Sequence, residues 1–272
     1  MGIAYAASDQ KEGADMKAIK INLPNMDVAE IHTFADLHIG DKFCDKKLIS
    51  ERIEEVKNKA NAYVILNGDI VNNATKTSVS DSYAEELSPM EQISAFTELF
   101  EPVKDKILCI TSGNHENRTY NKEGVDITRL CARQLGLEEK YSKTGAVLFV
   151  RVGNDKENKY RNTIRYVIYA THGSGGGRKE GAKAIRLADM ASIVDADIYI
   201  HSHTHLPMVM KEAFYRTDIC QSTIKKTTKL FVNTSAALDY GGYGEAFEFK
   251  PSSTDTPVIY LNGKKRSYTA KL

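Results

Sequence analysis

Short apolar runs alternate along the chain with longer stretches in which apolar positions return every three or four residues, the signature of strands interleaved with amphipathic helices. Residues 30–35 read as a strand that ends at Asp36. Residues 46–61 follow with a helical period: Leu48, Ile49, Ile53, Val56 and Ala60 on one face, Glu51, Glu54, Glu55 and Lys57 on the other. Residues 62–66 are a second apolar run and deliver Gly68-Asp69, which completes a β-α-β unit in outline. Pro89 opens a helix carrying Met90, Ile93, Phe96, Leu99 and Phe100, and residues 106–111 form the next strand, running into Gly113-Asn114-His115-Glu116. A helix over 126–135 stops at Gly136. Residues 147–152 and 164–170 pair as a hairpin across the charged stretch 153–162. A helix over 180–194 precedes a strand at 197–200, and short strands follow at 208–213, 230–233, 246–249 and 257–261.

This order predicts an α/β fold with antiparallel strands added late, and no linker that would set them apart. Residues 1–28 are small, polar or broken by Pro24. They predict an N-terminal extension that packs loosely or against a partner, with one domain over 29–272. Residues 72–88 are polar and too long for a simple connection, which makes them a candidate rim or lid.

Composition adds little to this picture. At 272 residues, 42% hydrophobic and 27% charged, the chain is an ordinary globular protein that needs no structural metal or disulfide. The net charge of +1 predicts no global attraction to nucleic acid, though a local basic strip at Lys42, Lys46, Lys47, Arg178 and Lys179 is compatible with it. Cys44, Cys109, Cys131 and Cys220 lie far apart with no CxxC pair, and the start lacks a signal-peptide pattern. Both point to a cytoplasmic protein, and no apolar run approaches a membrane span.

The chemistry is concentrated where the strands end. Five polar signatures each follow an apolar run: Asp36-Leu37-His38, Gly68-Asp69, Gly113-Asn114-His115-Glu116, His172-Gly173 and His201-Ser202-His203-Thr204-His205. Asp36 and His38 stand two apart, as do His203 and His205, a spacing that aims both side chains at one point if the chain stays extended. Asp36, His38, Asp69, Asn114, His172, His203 and His205 make a set of oxygen and imidazole donors without a thiol. That set suits two divalent transition-metal ions sharing a carboxylate, manganese first, with iron, zinc, nickel and cobalt as alternatives. Two such ions acidify a water and offset charge on a phosphoryl oxygen. His115, outside the metal shell, is placed to protonate a leaving alcohol. His201 is equally a supporting or an ordinary hydrogen-bonded histidine, His32 is structural, and Glu116 caps amides at a helix start.

These blocks resemble those of the calcineurin-like metallophosphoesterase superfamily, D-x-H, G-D, G-N-H-[D/E], H and G-H-x-H, across residues 36–205. The resemblance implies a four-layer α/β/β/α sandwich with metals at the strand ends. It implies one ion on Asp36, His38, Asp69 and His205 and another on Asp69, Asn114, His172 and His203, with Asp69 bridging and catalytic. His115 would contact phosphate and act as general acid. Ser202 stands where the family usually has glycine. Where the protein phosphatases of the family have GDxVDRG, this chain reads Gly68-Asp69-Ile70-Val71-Asn72-Asn73: Asn72 can still orient His115, but carboxylate and arginine are both gone. Arg118 is the candidate replacement as phosphate clamp. Arg118, Asn72, Asn73, Arg178 and Lys179 are thus the candidate substrate contacts, the last two beside the glycine-rich 173–177. Asp36-Leu37-His38-Ile39-Gly40 is similar to the opening block of the SbcD-type nucleases, and similar phosphoesterases occur in phages and prophages. The expectation is a phosphodiesterase acting on a nucleotide or nucleic acid, with a phosphomonoesterase and a metal-binding scaffold as alternatives.

Overall fold

A computed structural model of the protein describes residues 15–76, 78, 82–83, 85–153, 163–175, 177 and 179–272, and of Tyr243 the backbone alone. Two six-stranded sheets face each other. The first has the order β12-β11-β2-β3-β4-β5, built from β2 Val28–Phe34, β3 Ala62–Asn67, β4 Ile107–Thr111, β5 Tyr141–Ser142, β11 Val258–Asn262 and β12 Tyr268–Lys271. The second has the order β1-β6-β7-β8-β10-β9, from β1 Lys17–Pro24, β6 Gly145–Gly153, β7 Thr163–Thr171, β8 Ile198–His201, β9 Met208–Asp218 and β10 Thr223–Asn233. The helices are α1 Lys46–Asn58, α2 Pro89–Phe100, α3 Asn114–Glu123, α4 Ile127–Gln134, α5 Glu180–Asp189 and α6 Gly242–Ala246.

The layers follow from which apolar face each element carries. Ile31, Ile65 and Leu108 of the first sheet meet Ile19, Leu148, Ile168, Ile198 and Val232 of the second in the central core. On the outer face of the first sheet, Val64, Leu66 and Ile110 pack against Ile49 and Ile53 of α1, Phe96 of α2 and Cys131 of α4. On the outer face of the second, Tyr199 and Phe231 pack against Leu187 of α5 and Met190. The result is the α/β/β/α sandwich. In both sheets the central strands run parallel, β2-β3-β4 in one and β7-β8-β10 in the other. Their carboxyl ends therefore converge, the place where open α/β sheets bind ligands.

The helices over 46–58 and 127–134, the β6–β7 hairpin and the strands at β2, β3, β4 and β8 match expectation. Other elements differ, each for a physical reason. Residues 17–24, expected to pack loosely, form β1, whose alternate residues Ile19, Ile21 and Leu23 are buried as it pairs with β6. The alternation had been legible, and Pro24 ends the strand rather than excluding it. Residues 246–249 are not a strand: Gly241, Gly242 and Gly244 turn the chain into α6, and Glu248 is left-handed at φ 56°. The helix from residue 180 stops at Asp189 and continues as a short 3-10 turn, Met190–Ser192. The β9–β10 hairpin pairs from Met208–Asn233 out to Asp218–Thr223, longer than its apolar ends predict. Residues 1–14 of the extension, residues 154–162 and part of 72–88 lie outside the described residues.

Candidate metal centre

The loops at the strand ends are not extended. Asp36, His38, Asp69, His203 and His205 have φ of 52°, 49°, 50°, 66° and 53°, in the left-handed region that non-glycine residues rarely enter. Five of the seven expected ligands therefore hold a conformation that costs about 1–2 kcal/mol each. This corrects the extended geometry assumed for Asp36-x-His38 and His203-x-His205. With both members left-handed, Asp36 and His38 fall in one group of donors, whereas His203 and His205 fall in different ones. Such strain concentrates at functional sites and persists only when the surroundings enforce it.

The seven candidates lie together at the strand ends, Asp36, His38, Asp69 and His172 buried, His203 and His205 half-buried and Asn114 exposed. Ligand atoms of Asp36, His38 and His205 lie within 4.8 Å of one another, and so do those of Asp69, His172 and His203. His38, Asp69 and His115 form an overlapping third group on the same criterion. His205 Nε2 is 3.0 Å from Asp36 Oδ1, His172 Nε2 is 3.2 Å from Asp69 Oδ2 and 3.2 Å from Asn114 Oδ1. His172 Nδ1 donates to the Asn67 carbonyl at 2.8 Å, and His38 Nδ1 to Asn72 Oδ1 at 3.2 Å. In each case the hydrogen bond fixes the tautomer that leaves Nε2 as the donor toward the cluster. His38 Nε2 is buried and has no hydrogen-bond partner, a lone pair that a cation would satisfy. The donor set and this orphan atom fit divalent ions.

Without ions the charges settle on one another. Burial pulls the His172 imidazolium down, but Asp69 and Asp36 outweigh it and lift the group to about 10. Burial pushes Asp69 up, yet His172 and His115 hold it well below the usual carboxylate range. His203 falls to about 4 through burial and the neighbouring His172. A divalent ion competes with the proton on such an imidazole.

Glu116 does more than cap a helix. Its carboxylate accepts from the backbone amides of Gly113 (2.9 Å), Asp69 (3.1 Å), Ile70 (2.7 Å) and Val71 (3.1 Å). It thus clips the loop that carries Asp69 onto the start of α3. Burial pushes its carboxyl up to about 7, against the pull of those amides. The His115 amide in turn donates to Asp69 Oδ1 at 2.8 Å. A Cβ on Gly113 would stand 2.1 Å from that oxygen, so only glycine fits.

Asn72 and Asn73 are placed differently from the substrate contacts expected of them. The Asn72 side chain orients His38, and its amide donates to Asp41 and Glu85, at 3.2 and 2.5 Å. His115 is held by the Asn72 backbone, Nδ1 donating to the carbonyl at 2.7 Å. Asn73 is buried and donates to the His115 carbonyl at 2.8 Å while accepting from Thr119 at 3.0 Å. Both side chains are thus bonded to groups of the protein itself. Arg118 Nη2 lies 2.9 Å from His115 Nε2, which therefore accepts. Burial first, then Arg118, lowers the His115 pKa, offset in part by Asp69.

The second sheet supplies the other wall. His203 donates its backbone amide to Asp36 Oδ2 at 3.0 Å, joining the two sheets. The Ser202 hydroxyl accepts from Asn67 Nδ2 at 2.7 Å and from Thr234 at 2.9 Å, so the departure from glycine provides a crosslink. His201 stays outside the cluster, bonded to Asn233 Oδ1 at 3.0 Å. Lys179 is exposed at the N-cap of α5, and Arg178 lies outside the described residues. Sequence reasoning missed Lys183, whose Nζ donates to the Thr204 carbonyl at 2.8 Å. Its distance from the motifs hid it, though its helical spacing from Lys179 was visible. Among the described residues no helix is long and apolar enough to cross a membrane.

Comparison with known proteins identifies the family. The family model of calcineurin-like phosphoesterases matches residues 30–207, well over half the chain. The chain is similar to the solved structure of Vacuolar Protein Sorting 29 from Cryptosporidium parvum: 15% identity, TM-score 0.42, 90% of this chain and 97% of that one covered. It is also similar to a predicted phosphoesterase from Streptococcus pneumoniae TIGR4, at 14% identity and TM-score 0.34, covering 91% of this chain and 100% of that one. A third is the Pseudomonas putida nuclease MPE, at 11% identity and TM-score 0.34, covering 86% and 85%. No curated protein matches. The family match spans every one of the strand-end signatures, from the strand before Asp36 to the loop that ends at His205, and the chain belongs to the calcineurin-like phosphoesterases, metal-dependent phosphoester hydrolases.

Proposed function

We propose that the protein is a phosphodiesterase acting on nucleic acid or a nucleotide. Asp36, His38, Asp69 and His205 would hold one divalent ion, and Asp69, Asn114, His172 and His203 a second, manganese being the first candidate. Bound there, the ions would supply an acidified water and Lewis-acid stabilisation of the phosphoryl oxygens. His115 Nε2 would face the phosphate, its ring fixed through Nδ1 on the Asn72 carbonyl; once Arg118 shifts from it to the substrate, Nε2 would take up a proton from water and pass it to the leaving oxygen. Free thiols at Cys44, Cys109, Cys131 and Cys220 suit a reducing, cytoplasmic setting, including that of a phage-infected cell.

The observation that carries the diester reading is the occupation of Asn72 and Asn73. Where the phosphatase pattern has Asp and Arg, both amides are spent inside the protein, on His38, Asp41, Glu85, the His115 carbonyl and Thr119. That leaves Arg118 as the cation next to His115. One guanidinium matches the single charge of a diester better than the dianion of a monoester.

The test is hydrolysis of bis-p-nitrophenyl phosphate against p-nitrophenyl phosphate by manganese-loaded protein, with Asp69→Asn as the contamination control. A higher kcat/KM on the diester is expected. Monoester preference would move the assignment to a phosphatase, and two bound metals without turnover of either ester would move it to a scaffold.

A further inference from the structure

Three of the four sheet edges are short or blunted. β12 and β5 have four and two residues, and β1 carries Lys17 and Lys20 and ends at Pro24, devices that discourage a further strand. β9, the fourth edge, is neither short nor broken. It runs for eleven residues, Met208–Asp218, and pairs with β10 without a register shift. Among the described residues no strand pairs with its outer side. Alternate residues turn their backbone N–H and C=O away from β10 there, a template for another strand. Large apolar side chains gather at the far end of this hairpin: Tyr215 is 76%, Ile219 90% and Ile224 70% exposed.

The residues of this edge are complementary to themselves. Two copies related by a two-fold axis normal to the sheet pair antiparallel, and residues of the same face meet. With the axis at Phe214, Glu212 stands opposite Arg216 of the second copy, twice over, and Ala213 opposite Tyr215. Opposed charges and an aromatic ring over a small neighbour both stabilise such a pair. The neighbouring registers lose this. An axis at Ala213 sets Glu212 on Phe214, one at Tyr215 sets it on Asp218, and one at Glu212 or Arg216 brings like charges together. Glu212 has no ion-pair partner among the described residues. Arg216 reaches Asp195 at 3.3 Å, but both are largely exposed, where an ion pair contributes little, and Asp195 keeps Lys229 at 2.8 Å when Arg216 turns away. The register centred on Phe214 also sets Cys220 opposite Met208 of the second copy, three residues after His205. The tip of each hairpin then ends beside the loop that carries the partner's His205, which gives the long distal half of β9 and β10 something to do.

We propose that β9 binds a second copy of this chain edge to edge, antiparallel about Phe214, and so joins the two six-stranded sheets that contain it into one. An edge-to-edge contact is at the small end of protein interfaces, so the dimer is reversible and depends on concentration. The pairing does not depend on turnover, and sedimentation velocity of the full chain over a concentration series reads it directly. Wild type is expected to move from one chain toward two as concentration rises. Arg216→Glu sets like charges opposite each other twice and is expected to weaken association by about tenfold or more. Glu212→Arg should do the same from the other side. The double variant Glu212→Arg, Arg216→Glu restores opposite charges in the same register and is expected to recover most of the lost association. Thermal melts equal to wild type show that each variant is folded. A wild type that stays monomeric at its highest soluble concentration, association untouched by either single substitution, or a double variant that associates no better than the single ones would each overturn the pairing.

Discussion

The two walls of the site are built on opposite principles. The wall from β2, β3 and β4 is locked by buried polar groups: one carboxylate, Glu116, gathers four backbone amides, and Asn72, Asn73 and Gln92 use their side chains to brace His38, the His115 peptide and the chain between them. The wall from β7, β8 and β10 is held by neutral bonds among His201, Asn233, Ser202 and Thr234, and His205 keeps a side chain 36% exposed. Charge-assisted bonds to buried amides are stronger than neutral ones, and a buried donor left without its partner is costly. The first wall is therefore the rigid reference of the site. The second, with His205 partly exposed, is the wall open to a substrate.

Substitutions on each wall sharpen this contrast. The largest effect is expected at Asp69, which touches both halves: Asp69→Asn should abolish measurable turnover and lower the bound metal seen by elemental analysis, and normal stoichiometry with normal activity would remove it as a bridge. His115→Ala should retain both metals and lose about 10²–10⁴-fold in kcat on substrates with poor leaving groups. Glu116→Ala strands several buried amides, so urea denaturation should show a loss of about 3 kcal/mol or more. Arg118→Met should raise KM for the diester about tenfold with a smaller change in kcat, the pattern of a binding contact. Smallest is Asn233→Ala on the second wall, at about 1–2 kcal/mol. If it equals or exceeds the Glu116 loss, the contrast between the walls fails.

The strand ends that carry the candidate donors were legible because each joins two signals that rarely coincide, an apolar run and an immediate cluster of donors. What surrounds them was less so. Asn67 looks like one more polar residue after a strand, yet it bridges the sheets through the Thr171 carbonyl and Ser202. No sequence rule pairs residues more than a hundred positions apart. Asn72 shows the same difficulty on a smaller scale: its backbone carbonyl holds His115 and its side chain holds His38, a division that a residue type alone does not reveal. The distal half of the β9–β10 hairpin, rich in lysine and threonine, was invisible because both of its faces are largely exposed and no alternation marks a buried side. Phe247 and Phe249 misled in the opposite sense: they alternate like a strand, but the chain there leaves α6 through a turn.

The strand order also constrains how the chain reaches this state. β2, which delivers Asp36, is flanked by β3 from 62–67 and by β11 from 258–262, and β1 finds its partner in β6, residues 145–153. Neither sheet can close from local pieces. Such non-local pairing slows folding, since loop closure comes before the contacts that reward it. During synthesis the strand that carries the first metal-binding motif keeps an open edge until residue 262 has emerged. A premature stop within the last fifteen residues should therefore damage the centre as surely as a mutation in it.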